Sequence, residues 1–259
     1  RMKPLYLRGS ATRVVQDGPA LKVEQPGQSA CWFPLRRISR VISAPQVGWT
    51  SEALLACAAE GVSVTFMADS GAVLARLVGR PGEREEIHQR LADLLVRPGW
   101  PDDYAAWLAG MEQMAARSVA RRAGFPLERL PTPRDLRRCL RDRAAAGGLL
   151  EPYAAVGRTV HGLLLAYVTQ ALSAAGVGVE WSGWTQLDLP GDLTRVLFWD
   201  FRLARLAWLE RCRQQGAPLP PPDRAVVAFF EERHGRIEHL CRGLLNRLHQ
   251  WLIEQYRWH

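Results

Sequence analysis

The amino-acid sequence predicts an α+β chain, with a small N-terminal β-rich domain over residues 1–80 and a larger all-helical domain over residues 81–259. Three observations carry this. Short apolar runs separated by turn formers fill the first eighty residues. After Gly79-Arg80-Pro81-Gly82 the apolar period lengthens from that of a strand to that of a helix. Hydrophobic residues make up 47% of the chain, enough to bury a sizeable core in each part.

The elements follow in order. Leu5-Tyr6-Leu7, Arg13-Val14-Val15 and Leu21-Lys22-Val23 read as strands, the last two joined across the hairpin dipeptide Asp17-Gly18. Cys31-Trp32-Phe33 and Ile38 through Ile42 supply two more. Ser51 to Cys57 reads as a short capped helix that stops before Gly61. Val62 to Phe66 is a buried strand, and Asp69-Ser70-Gly71 turns the chain into Val73 to Leu77. Beyond the break, Ile87, Leu91, Leu94 and Leu95 make one helical stripe, and Tyr104, Leu108, Met111, Ala115 and Val119 a second. Val156, Val160, Leu163, Leu164 and Tyr167 make a third; Leu193, Leu197, Phe201, Ala204 and Trp208 make a fourth. The proline-rich stretch Pro218 to Pro222 precedes one long last helix, along which Phe230, Ile237, Leu244 and Trp251 recur every seven residues.

Charge narrows the function. The formal net charge is +8, and every basic residue except Lys3 and Lys22 is arginine. Arginine forks onto phosphate oxygens, so this balance suits a nucleic-acid partner. Arg117, Arg121 and Arg122 cluster on one segment, and Arg134, Arg137, Arg138, Arg141 and Arg143 form a dense run; both are candidate phosphate contacts. Arg36, Arg37 and Arg40 decorate one β segment. The five cysteines are scattered without zinc spacing and read as reduced, mostly buried thiols. Every apolar run is interrupted by charge and there is no secretory-type opening, so the expectation is a soluble, cytoplasmic protein with no membrane partner. Hydrolase elbows, P-loops, dinucleotide fingerprints, HExxH pairs and a helix-turn-helix reader are not found.

The ordered N-terminal pieces resemble the CRISPR-associated integrase and endonuclease family (Cas protein one). They are the strand pair around Asp17-Gly18, Pro34-Leu35 with Ile38 and Val41, the helix opening Thr50 to Leu55, the strand Gly61 to Phe66, and the hairpin Gly71 to Leu77. The likeness extends more loosely over the helical domain. It implies a dimerising β domain over 1–80, and a helical domain over 81–259 that binds DNA and holds a metal site. It implies CRISPR adaptation: the capture of foreign DNA and its integration as spacers into an array. The implied partners are prespacer and repeat DNA in branched form, the small Cas protein two, and a second copy or a homologue.

The resemblance also implies magnesium or manganese, held by a glutamate, a histidine and an acidic residue. The segment GMEQMAARSVARR at 110–122 is similar to the family's glutamate helix and places that ligand at Glu112, with Gln113 where the family has glycine. The family's histidine segment matches Gly183-Trp184-Thr185-Gln186, with Gln186 at the histidine position, while His161 falls at an asparagine position one helix earlier. The acidic segment matches Arg195 to Arg202, with Val196 and Trp199 at the two acidic positions and Asp200 one residue late. One residue is about 100° of helix. Two readings follow: a divergent active enzyme that rebuilds its site from Glu112, Asp200 and His161, or a silent homologue that keeps the DNA-binding frame. A DNA-binding protein outside CRISPR adaptation is the third.

Overall fold

A computed structural model describes residues 2–79, 86–125, 131–177 and 187–257. Its described residues fall into two compact units. One lies within Arg1–Leu91 and Gly162–Pro190, the other within Ala92–His161 and Gly191–His259.

The first unit holds two four-stranded sheets. In one, β1 (Lys3–Leu7) and β7 (Ser63–Met67) run parallel to β5 (Ile38–Ser43) on either side, and β8 (Val73–Leu77) closes antiparallel onto β7. In the other, β2 (Arg13–Asp17), β3 (Ala20–Glu24) and β4 (Cys31–Pro34) form an antiparallel meander, and β6 (Gly48–Trp49) pairs parallel to β2. The hairpin falls where Asp17-Gly18 places it: Asp17 pairs with Ala20, and Gly18 takes the positive φ that glycine adopts without strain. The two-residue β6 has no sequence signal, because so short a strand leaves no alternation to read. Helix α1 (Ser51–Ala59) is capped by the Thr50 hydroxyl, which accepts from the Ala53 N–H, and it leads from β6 to β7. Val14, Leu21, Val41, Ala53, Cys57 and Val64 are buried together in one core.

The second half of α5 (Leu150–Ala174) joins this unit. Gln170 donates to the Gly61 carbonyl and accepts from the Ser63 N–H, so it satisfies backbone groups at the start of β7. Thr169 accepts from Arg76 on β8. Gly162 sits where a Cβ would lie 2.3 Å from the Gly71 carbonyl oxygen, so a side chain there would force the helix off the hairpin. Arg40 is buried and stacks over Tyr167, so it does not decorate the surface with Arg36 and Arg37, which are exposed. It lies on an inner strand that is buried along nearly its whole length.

The second unit packs α3 (Trp100–Arg122), α4 (Pro133–Ala146), the first part of α5, α6 (Leu189–Gln214), α7 (Asp223–Glu232) and α8 (His234–Arg257). Helix α2 (Glu86–Leu95) bridges the two sets of residues in sequence. The expected long last helix is two helices, broken at Arg233. Arg233 is turned out of the helical backbone and gives its guanidinium to Asp200 on α6, and Gly235, a poor helix former, follows two residues on. Phe230 therefore belongs to α7, where it stacks on Phe201, and Ile237, Leu244 and Leu248 face the core from α8. Trp251 stacks on Trp107.

Cys57 and Cys241 are buried, and burial pushes both thiols up to about 12. Cys31 and Cys139 are exposed and Cys212 is half-buried, so the expectation of mostly buried thiols holds for two of the five. Among the described residues no helix is long and apolar enough to cross a membrane.

Candidate functional site

Helix α3 puts Glu112 between the buried Leu108 and Ala116, one turn to each side, so its carboxylate emerges at the edge of the packed face. The side chain is 16% exposed. Across from it, α6 presents a run of buried residues from Val196 to Phe201. The Trp199 indole N–H donates to Glu112 Oε1 at 3.2 Å, and Arg137 of α4 approaches the same oxygen at 3.8 Å. The guanidiniums of Arg137 and Arg202 lie over the Trp199 ring. Burial, and then the charge of Arg205, lowers the Arg202 guanidinium to about 10, while Tyr153 and Glu112 oppose the shift. Arg205 itself is buried over Tyr153, in space left by Gly157, where a Cβ would stand 2.0 Å from the guanidinium.

His161 stands edge-on to Phe198, with ring centroids 5.4 Å apart, and keeps an exposed side. Desolvation by the surrounding protein, and then the Arg202 charge, lowers its pKa. The imidazole is therefore held neutral beside a cation. Gln186 lies outside the described residues, as do Trp181 and Trp184.

Asp200 points elsewhere. It is 4% exposed and meets three guanidiniums: Arg122 of α3 at 2.8 Å, Arg236 of α8 at 2.8 Å, and Arg233. Burial by itself raises its carboxyl, but the hydrogen bonds from Arg233 and Arg236 and the charges of Arg233 and Arg122 outweigh that and hold it below the usual carboxylate range. So Asp200 ties α3, α6 and α8 together as the single anion among three cations.

A magnesium or manganese ion needs several convergent anionic or carbonyl oxygens. Glu112 is engaged by an indole and a guanidinium, and Asp200 by three guanidiniums. Val196 and Trp199 bring no oxygen. Among the described residues no three of His, Cys, Asp and Glu converge as a metal site. Among the described residues this donor set does not fit the ion. The charge pattern is instead that of an anion site, and the arginines that create it, Arg202, Arg205, Arg233 and Arg236, are not singled out by sequence reasoning. The one signal for them is the density of arginine in RVLFWDFRLAR and EERHGR.

The model for the family described as CRISPR associated protein Cas1 matches residues 5–96, which span the β-rich part and the start of the helices. A Cas1 protein from Thermotoga maritima has the same fold throughout: TM-score 0.77 at 10% identity, covering 97% of each chain. The first third of the chain thus matches the Cas1 family model, and the chain has the fold of a Cas1 protein. Its fold also matches the TtCas1–DNA complex, with TM-score 0.60 and 16% identity over 97% of this chain and 91% of that one. The Cas6-RT-Cas1--Cas2 complex matches with TM-score 0.64 and 13% identity, over 96% of this chain and 35% of that longer one. No curated protein matches in sequence.

The arginines of this chain divide into two sets. Arg122 and Arg137 are drawn into the ion pairs above. Arg117 and Arg121 on α3, and Arg134, Arg138 and Arg141 on α4, are exposed, and among the described residues none of them pairs with a carboxylate. Helix α4 is built for this: Leu136, Leu140 and Ala144 bury one stripe, Thr132 caps the start, and the arginines fill the outer face. Arg143 is held apart by a bidentate pair with Glu210 at 3.0 and 3.1 Å.

Proposed function

We propose that this chain serves CRISPR adaptation as a DNA-binding Cas1-type subunit that does not perform metal-dependent chemistry itself. The observation that carries the reading is the outer face of α4, where Arg134, Arg138 and Arg141 stand exposed and, among the described residues, without carboxylate partners. Free guanidiniums on a rigid helix neutralise phosphates and release counterions. Arg117 and Arg121 extend the same chemistry along α3. The complexes of similar fold, one with DNA and one with Cas2, support DNA and the small partner as what it assembles with. The β-rich segment over residues 1–80 is then the dimerising part, joining a second copy or an active homologue. The alternative, a metal-dependent integrase or endonuclease, rests on Glu112, with Asp200, His161 and Gln186 as its remaining ligands.

The experiment is a binding and turnover assay on the purified chain with splayed and plain duplex DNA, with manganese or magnesium and with chelator. The expected result is tighter binding to the splayed duplex, steep loss of affinity with salt, and no cleavage or strand joining under any condition. Metal-dependent turnover abolished by Glu112→Ala would overturn the silent reading, and salt-independent affinity would overturn the DNA-binding one.

A further inference from the structure

A divalent ion draws carboxylates together, but here each carboxylate is neutralised separately. Asp200 has Arg122, Arg233 and Arg236. Glu112, its side chain 16% exposed, has Arg137 at 3.8 Å, and its charge is felt by the Arg202 guanidinium. A carboxylate so enclosed needs donors and counter-charge to offset its lost hydration. Trp199 supplies the donor: it is 1% exposed, and its indole N–H reaches Glu112 Oε1 at 3.2 Å. The guanidiniums of Arg137 and Arg202 lie over that same ring, 5.8 and 4.8 Å from its centroid. A cation over the ring draws electron density from it and strengthens the N–H as a donor. The three side chains therefore act on Glu112 together, two by charge and one by hydrogen bond. One anion beside two cations leaves positive charge in excess, so a divalent cation approaching Glu112 is repelled.

We propose that Glu112 is the resident counter-ion of Arg137 and Arg202, and that these guanidiniums, with Trp199, stand in the place of a metal ion and join α3, α4 and α6. Glu112 then holds the fold together and does not wait for an ion. The inference rests on the metal-free reading above and supplies its physical cause. It also fixes a sign. In a vacant metal centre the carboxylates repel one another, so neutralising one of them stabilises the empty protein. In an ion-paired cluster, neutralising the anion leaves its cations uncompensated and destabilises the protein.

The test is thermal unfolding of the full chain by circular dichroism, in chelator and in millimolar manganese. Glu112→Gln keeps the shape of the side chain and an acceptor for the indole, and removes only the charge. In chelator it should lower the melting temperature by roughly 2–4 °C. The unmodified chain should melt at the same temperature in manganese as in chelator. Arg137→Gln, at an exposed position, removes one of the cations. It should lower the melting temperature more in the unmodified chain than in Glu112→Gln. A melting temperature that Glu112→Gln leaves unchanged or raises, with no effect of manganese on either protein, overturns the proposal while the metal-free reading stands. Equal falls from Arg137→Gln in the two backgrounds do the same. Manganese that raises the melting temperature of the unmodified chain but not of Glu112→Gln overturns the proposal and the metal-free reading together.

Discussion

Asp200 shows how one residue's surroundings decide its chemistry. Its carboxylate is the common partner of Arg122, Arg233 and Arg236. Asp200→Asn leaves three guanidiniums crowded without their anion, which costs roughly 3–5 kcal/mol for a buried pair broken from one side. Chemical denaturation at neutral pH checks this. The sign with pH follows from the depressed carboxyl. The stabilisation is present above the ordinary carboxylate value near ~4 and is lost as the pH falls through the lower folded value. The stability gap between the native chain and Asp200→Asn should therefore close in acid and stay open from about pH 5 upward. Trp199→Phe removes the indole donor from Glu112 while keeping the ring under Arg202, and should cost about 1 kcal/mol without altering DNA affinity.

At the scale of elements, glycines mark where helices are pressed against neighbours. Gly162 brings α5 onto the β7–β8 hairpin so closely that a Cβ would meet the Gly71 carbonyl and the Met67 sulfur. Gly162→Ala should lower stability by about 1–3 kcal/mol. Gly110, exposed on α3 with nothing near its missing Cβ, is the contrast. Gly110→Ala should raise stability by up to about 1 kcal/mol through helix propensity. Opposite shifts of melting temperature in the two variants would verify both. The strands and most helices were legible because each declares its period within its own residues, as in Ser63–Met67 or in the stripe from Tyr104 to Val119. The break at Arg233 was not, because the heptad from Phe230 to Ile237 continues across it while the partner that turns the residue, Asp200, lies on another helix.

For the whole molecule, the net charge of +8 matters through where it is unbalanced. Internal pairs consume Arg122, Arg137, Arg143, Arg233 and Arg236, and the outer faces of α3 and α4 keep the exposed arginines to which the proposed DNA contact is assigned. Replacing Arg134, Arg138 and Arg141 by alanine should weaken all DNA substrates alike. The slope of log affinity against log salt should fall by about 0.9 for each phosphate that is no longer neutralised. A salt titration of both proteins checks it, and an unchanged slope would place the DNA elsewhere.

The sequence by itself determined the α+β class, the order of β-rich and helical parts, the hairpin at Asp17-Gly18, and the surplus of arginine. It also placed Glu112 at the edge of a helix face. The tertiary structure decided what those groups do. Asp200 stands one residue after Trp199, and on a helix that residue's rotation separates it from the Glu112–Trp199 contact and turns it toward Arg233 and Arg236. Periodicity is written locally along the chain, whereas the pairing of charges is settled through space, across the 33 residues from Asp200 to Arg233 and the 87 from Glu112 to Trp199.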